Sequence, residues 1–387
     1  MAEKTGGQKS RALRELALLF LKLGAIGFGG PAAHIAMMED EIVRRRRWMT
    51  REDFLDLLGA TNLIPGPNST EMAIHIGHRQ RGWLGLIVAG VSFILPASLI
   101  VLVFAWIYVR YGSLPQVGGV LYGVKPVIIA IVLQALWSLG RTAIKNMFLA
   151  VVGLAGVVLA FLGVHELLIL LGGGVIVGLS QLIPPGSRSG KRSLVFTSPF
   201  MLLLQSTAAT TTAFGLLPLF LFFFKVGAVL FGSGYVLLAF LRADLVERWH
   251  WLTESQLLDA VAVGQVTPGP VFTTATFIGY VLGGLSGATV ATAGIFLPAF
   301  LFVAASGPLV SRVRRSPTAG AFLDGVNAAS LALMLVVTYQ LSRVAVFDFP
   351  TIVLALVSAI TLSRFRLNSA WLILGGALLG LLLSALR

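Results

Sequence analysis

The chain repeats itself. Lys22, Gly24, Ala25, Phe28 and Gly29 return as Lys225, Gly227, Ala228, Phe231 and Gly232, 203 residues later. Pro65-Gly66-Pro67 returns as Pro268-Gly269-Pro270 at the same offset. Trp48, Thr50 and Asp56 match Trp251, Thr253 and Asp259, and Leu95-Pro96-Ala97 matches Leu297-Pro298-Ala299 after the offset shortens by one. One single-residue indel over so long a match marks a duplication. Glycine and proline break helices, so each half is expected to contain helices interrupted at the same places.

The segments between those breaks are apolar. Only 12% of residues are charged and 57% are hydrophobic, against about a quarter charged in ordinary soluble domains. Stretches such as 84–109 exceed the roughly 20 residues that cross a bilayer. The expected fold is all-α: a polytopic integral membrane protein of two inverted-topology repeats with re-entrant, Gly/Pro-broken helical hairpins. Matching breaks in two apolar halves are the pattern of a secondary transporter with its substrate near the bilayer midplane.

Other classes fall away. The net charge is +13, but the basic residues cluster between apolar runs, which is a topology signal and not a nucleic-acid surface. There is no cysteine, which excludes disulfides, thiolate metal sites and cysteine redox chemistry. The five histidines form no ligand set with carboxylates. Gly27 to Gly30 follows no strand and no Walker pattern occurs, so no nucleotide site is expected. No cofactor and no enzymatic chemistry are expected. The basic residues ahead of the first apolar run imitate a signal peptide. Lys22 interrupts that run, however, and the same segment recurs where no cleavage signal operates.

Residues 1–14 read as a basic cytoplasmic tail, 15–184 as the first repeat, 185–199 as a polar linker, 200–222 as a connecting transmembrane helix and 223–387 as the second repeat. Arg44 to Arg47, Arg79 with Arg81, and Arg141 with Lys145 mark cytoplasmic flanks by the positive-inside rule. Segments 16–38 and 53–78 therefore begin and end on one side, as re-entrant hairpins with tips at Gly29-Gly30-Pro31 and Pro65-Gly66-Pro67. A full crossing by 16–38 is the alternative. Full spans are expected near 84–109, 119–140, 146–162 and 167–183, with the N-terminus cytoplasmic. One crossing by 200–222 inverts the second half. Its basic residues Arg312, Arg314, Arg315, Arg364 and Arg366 then lie inside, and the mixed-sign stretch Arg242 to Glu254 lies outside.

The breaks suit an anion. A helix restarted after Gly/Pro presents unpaired N–H groups and a positive dipole end, and Pro31, Pro67 and Pro270 fit its first turn. Neutral donors cluster there. The candidate substrate-binding set is Gly29, Gly30, Asn62, Pro65, Gly66, Asn68 and Ser69 in the first half, with Gly232, Ser233, Gln265, Pro268, Gly269 and Thr273 in the second. Lys22 and Lys225 stand alone in apolar runs. An intramembrane lysine is a functional candidate, and snorkelling to the interface is its competing reading. Glu71 and His75, one turn apart, align with Thr274 and Ile278 and so lack ionisable counterparts. That asymmetry suits proton coupling, against a solvated helix end beside Arg79. Asp56 and Asp259 are read as structural partners of the basic flanks.

These residues carry a resemblance. Phe28-Gly29-Gly30-Pro31, the loop ending at Trp48, and Asn62 to Pro67, with Phe231 to Gly234 and Val266 to Pro270, resemble the chromate ion transporter family in its long, two-domain form. The resemblance covers essentially the whole chain and departs at Gly234, which replaces Pro31. It implies chemiosmotic export of chromate across a bacterial inner membrane, chromate resistance, and competition by sulfate, an isosteric dianion. The residues leave open a carrier for sulfate, molybdate or another dianion, a passive anion channel, and a chromate reductase. They also leave the oligomeric state open, a homodimer being common among such carriers. The expected partners are the oxyanion, a coupling ion such as the proton, and the lipid bilayer.

Overall fold

The computed structural model describes residues 2–28, 30–112, 114–181, 213–231, 236–306, 316–365 and 369–385, with side chains from Arg11 onward. The linker 185–199, residues 200–212, Gly29, Gly232 and Ser233, and Arg312, Arg314, Arg315 and Arg366 lie outside the described residues. All regular structure among the described residues is helical.

The first half contains α1 (Ala2–Ile26), α2 (Gly30–Glu39) with a π-helical extension Asp40–Arg45, α3 (Arg51–Thr61), α4 (Asn68–Tyr111), α5 (Pro115–Ala143), α6 (Met147–Phe161) and α7 (Glu166–Ser180). The second contains α8 (Leu216–Val229), α9 (Leu237–Phe240) with π-helical Leu241–Arg248, α10 (Glu254–Val266), a 3₁₀ turn Val271–Thr273, α11 (Thr274–Ser306), α12 (Pro317–Ala345), α13 (Phe349–Phe365) and α14 (Ser369–Ala385). Helix α8 runs through residues 222 and 223.

The matched residues cause matched structure. Thr50 and Thr253 are N-caps, accepting from the backbone N–H groups of Asp53 and Gln256, as threonine at a helix start does. Arg47 and His250, also 203 apart, are the two non-glycine residues with positive φ among the described residues (52° and 55°). Helices α4 and α11 break at Arg81-Gly82 and Gly283-Gly284 with nearly identical angles, the glycines at φ 60° and 61°. The single-residue indel falls between Pro67/Pro270 and Gly77/Gly279, where the second copy is one residue shorter and forms a 3₁₀ turn in place of the first turn of the helix.

Among the described residues, four helical stretches are long and apolar enough to span: Asn68–Tyr111, Pro115–Ala143, Val271–Ser306 and Pro317–Ala345. α6 and α7, expected as full spans, have 15 residues each, about 23 Å at 1.5 Å per residue. That is short of a typical hydrocarbon core of about 30 Å. The outward stripe of α4 is Leu84, Ile87, Val91, Leu95, Leu99 and Val103, all exposed, at the 3–4 residue spacing of one helix face. Trp83, Trp106, Trp137 and Trp371 are exposed near helix ends, as in an aromatic belt. Glu71, His34, Asp244 and Asp259 are buried. Apolar outside with polar inside is the arrangement a bilayer selects.

The 16–38 and 53–78 segments fold back on themselves. Arg46 Nη1 reaches Glu15 Oε1 at 2.5 Å, across the ends of the first segment, and Arg79 Nη2 reaches Asp53 Oδ1 at 2.6 Å, across the ends of the second. The halves then interlock. Gly123 on α5 packs on Gly376 of α14, and Gly325 on α12 packs on Gly173 of α7, so closely that any Cβ at Gly123 or Gly325 falls within 2.2 Å of a carbonyl oxygen. Each half thus closes against the last helix of the other.

Candidate functional site

The two Pro-Gly-Pro tips cross into the breaks of the opposite halves. The Gly66 N–H donates to Leu230 O at 2.7 Å, and the Gly269 N–H donates to Gly27 O at 2.8 Å. Leu230 stands 203 residues after Gly27, so the two bonds are one contact made twice, reciprocally. Both glycines have positive φ, 140° and 90°, a conformation glycine adopts at little cost. Pro65, buried Pro268 and the glycines form the turns. Pro67 and Pro270 are N-caps, one residue ahead of the first turn expected for them, while Pro31 lies in the first turn of α2. Gly30 has φ 74° and open space where a Cβ would stand.

The first tip is closed by Asn68 Nδ2 donating to Asn62 Oδ1 at 2.8 Å. Pro67 O accepts from the N–H groups of Thr70 and Glu71. The N–H groups of Asn68 and Ser69 at the start of α4 have no earlier carbonyl in the helix to reach. Next to them lies Glu71, fully buried, whose two carboxylate oxygens have no hydrogen-bond partner among the described residues. Its Oε1 rests against Gly66, 2.4 Å from where a Cβ would stand. His75 is buried one turn on, with Nε2 unpartnered, and so is the Thr70 hydroxyl. This is not a solvated helix end: Arg79 is engaged with Asp53.

The second tip is built differently. Glu71 aligns with Thr274 or, beyond the indel, Thr273, and both are threonine. Thr273 Oγ1 donates to Pro270 O and Thr274 Oγ1 to Val271 O, each at 2.8 Å. Gln265 on α10 lines a small pocket beside Thr274. The helix breaks also differ. His34 Nε2 lies 2.8 Å from Gly27 O, whereas its counterpart 203 residues on is Leu237.

The lysines do not face the tips unaccompanied. Lys22 Nζ donates to Glu41 Oε1 at 2.9 Å, and Lys225 Nζ to Asp244 Oδ2 at 2.5 Å. Both acids sit in the π-helical turns, 19 residues after their lysines, and π-turns frequently mark functional places. Lys22 is 53% exposed and Lys225 33%. Glu41 also meets Arg45 and Arg46, and Asp244 meets Arg248. Another pair keeps its place and reverses its charges: Arg51–Glu39 at 3.3 Å in the first half, Glu254–Arg242 at 2.6 Å in the second.

Sequence reasoning named the tips, Glu71, His75 and both lysines. It missed the acids Glu41 and Asp244, although they share the 203-residue spacing, and it missed His34, which has no polar counterpart to flag it.

Comparison with known proteins finds one family in both halves. A model of the chromate transporter family matches residues 14–179 and again 217–381. The chain is 36% identical over 375 residues to the chromate transport protein of Cupriavidus metallidurans, covering 95% of this chain and 92% of that one. It is 32% identical over 354 residues to a probable chromate transport protein of Synechococcus elongatus, covering 90% of each. A chromate transport protein of Pseudomonas aeruginosa is 32% identical over 346 residues, 86% of this chain and 82% of its own. No solved structure matches. With both halves matched and these relatives aligned along most of its length, the chain belongs to the chromate transporter family.

Proposed function

We propose that this protein is a secondary transporter that exports chromate across the bacterial inner membrane and so confers chromate resistance. The reading rests on family membership. The observation that carries it into the structure is the reciprocal seating of two glycine tips in two helix breaks, beside a buried, unpaired carboxyl. The substrate-binding set is the start of α4, with Asn62, Asn68 and Ser69, together with Gly30, Gln265 and the two tips, and Thr273 shapes the second tip, its hydroxyl and N–H both donating to Pro270 O. In this conformation the Gly66 and Gly269 N–H groups hold the halves together, so the donors left for a tetrahedral dianion are the helix-start N–H groups and neighbouring side chains. Lys22 and Lys225 add positive charge at the outer ends of the hairpins, shared with Glu41 and Asp244. Gly29, Gly232 and Ser233 complete the proposed set. Sulfate, of the same shape and charge, competes.

The driving force is electrical at minimum. Moving one charge through 100 mV is worth about 2.3 kcal/mol, so expelling a dianion from a negative interior gains about 4.6 kcal/mol, roughly three orders of magnitude in concentration. Glu71 and His75 carry a coupled proton. The halves act as inverted repeats about an axis in the membrane plane, with the N-terminus cytoplasmic, and rock about the interlocked tips.

The test is chromate flux into and out of proteoliposomes under separately imposed potassium-diffusion potentials and pH gradients, with sulfate as competitor. Saturable flux that follows the potential and is blocked by sulfate is expected. Non-saturating flux identifies a channel, and sulfate flux without chromate flux reassigns the substrate.

A further inference from the structure

Away from the tips, one partly buried lysine has no charged counterpart in the repeat. Lys125 on α5 aligns with Asn327 on α12, 202 residues later. Its Nζ donates to Ser255 Oγ at 2.6 Å and pairs with Asp259 Oδ1 at 3.2 Å. Asp259 Oδ2 accepts from the Tyr108 hydroxyl at 2.9 Å. The cluster therefore joins α4 and α5 of the first half to α10 of the second, the arm that carries the Pro268-Gly269-Pro270 tip. It lines a cavity of about 510 Å³ that reaches the α4–α5 turn at Gly112 and Gly118. The Lys125 side chain is 17% exposed and that of Asp259 3%.

The bonding is incomplete in a particular way. Asp259 Oδ1 is buried and meets Lys125 at ion-pair distance without a hydrogen bond. Ser255 accepts from the lysine and so keeps its own O–H to donate. Lys125 thus has an ammonium proton to spare at the wall of the cavity. Asp259 stays held by Tyr108 if the lysine turns away. An ammonium at low exposure in a concave site concentrates anions more effectively than one on an open surface.

We propose that Lys125 and Ser255 form a second binding station for a divalent oxyanion, at an aqueous mouth separate from the tips, and that Asp259 is its internal competitor. In the anion-free state Asp259 occupies Lys125. An arriving dianion takes the lysine and the Ser255 hydroxyl, leaves Asp259 to Tyr108, and loosens the arm that bears the second tip. The single copy of this lysine gives the two mouths unequal affinity. The inference rests on the oxyanion-transport reading.

The opposite charges of the pair make the test sharp. Chromate KM is measured in proteoliposomes for wild type, Lys125→Gln, Lys125→Arg, Asp259→Asn and the exchange Lys125→Asp with Asp259→Lys. Monodispersity and thermal unfolding in detergent serve as controls for folding. Lys125→Gln is expected to raise KM about tenfold or more, the scale of a lost charge-assisted hydrogen bond, while Lys125→Arg stays near wild type. Asp259→Asn is expected to lower KM several-fold by removing the competitor. The charge exchange is expected not to recover affinity. A purely structural ion pair gives the other pattern, in which both neutralisations impair transport alike and the exchange restores it, and that result overturns the proposal. Wild-type chromate flux with KM unchanged in every variant overturns this station alone. Absence of wild-type flux of any divalent oxyanion overturns the transport reading beneath it.

Discussion

At the first tip Gly66 donates to Leu230 across the halves, and the Glu71 carboxyl lies against its Cα. At the second, Gly269 donates to Gly27 in the same way, but packs on Ala97 and the Gly24 carbonyl. The frame is shared: turn, positive φ and inter-half hydrogen bond. The filling is not. Threonines whose hydroxyls are spent on their own backbone occupy the place of an unpaired buried acid. A group kept in both copies serves the interlock, which needs two equivalent contacts. A group present in one copy is free to serve something directional. Glu71, His75, His34 and Lys125 are all of the second kind.

The largest effect should come from the frame. In Gly269→Ala the new Cβ lies 2.5 Å from Ala97 Cβ and 3.1 Å from Gly24 O, in a backbone conformation that itself costs about 1–3 kcal/mol for a side chain. Overpacking adds about 1–3 kcal/mol. In Gly66→Ala the obstacle is the far end of Glu71, so adding Glu71→Ala should recover the steric part and leave the backbone cost. No second substitution of a mobile side chain rescues Gly269→Ala. Thermal unfolding in detergent reads both. Equal rescue at both tips would break the comparison.

The lysine–acid cages give the next contrast. Asp244 is 1% exposed in its side chain and binds Lys225 and Arg248. Asp244→Ala strands two cations that are only about a third exposed, and the lost charge-assisted hydrogen bonding costs about 1.5–3 kcal/mol. The half-exposed Lys22 can return to water, so Glu41→Ala should cost about 1 kcal/mol or less. Comparable losses would show that burial does not set the difference.

Glu71→Gln keeps the shape of the first tip and removes a titrating group. It should fold like wild type and lose the pH-gradient-driven component of chromate flux about tenfold, about 1.4 kcal/mol in barrier terms. Thr274→Val should retain that component. Loss of coupling in Thr274→Val alone would move the proton site to the second half.

How much of this was legible in the sequence depended on how local the cause was. Gly66, Gly269 and their prolines act through their own backbones, so the tips could be placed from the repeated Pro-Gly-Pro motif. Thr50 and Thr253 acted likewise as caps. The burial of Glu71 could not be read, because Arg79 one turn beyond His75 suggested solvent, and only the fold turns that arginine onto Asp53. Lys22 and Lys225 read as candidate anion ligands because their acids arrive through a π-turn whose existence the sequence does not announce. The Lys125–Asp259 pair spans both halves and depends on how they interlock, a fact no periodicity within one half contains. Asp259 reads as a partner of basic flanks, and the structure pairs it with a partly buried lysine in the opposite half.

The smallest effect concerns Glu41 alone. The hydrogen bond from Lys22 holds its carboxyl below the ordinary glutamate value, burial opposes this, and the charges of Lys22, Arg45 and Arg46 add to the lowering. A depressed folded-state value stabilises the protein fully above the unfolded-state pKa, about 4.3, and that stabilisation fades as pH falls through the folded value. Acidification from pH 7 toward about pH 3 should therefore weaken the first cage, and Glu41→Gln should remove that share of the acid dependence while leaving the rest. Unfolding temperatures of both proteins in detergent across this range decide it. Parallel curves would mean that Glu41 contributes no pH-linked stability and that Lys22 is held by position rather than by charge. Convergence at low pH would show a cage around a half-exposed lysine that tunes the first hairpin gently, in contrast to the Asp244 cage that fastens the second.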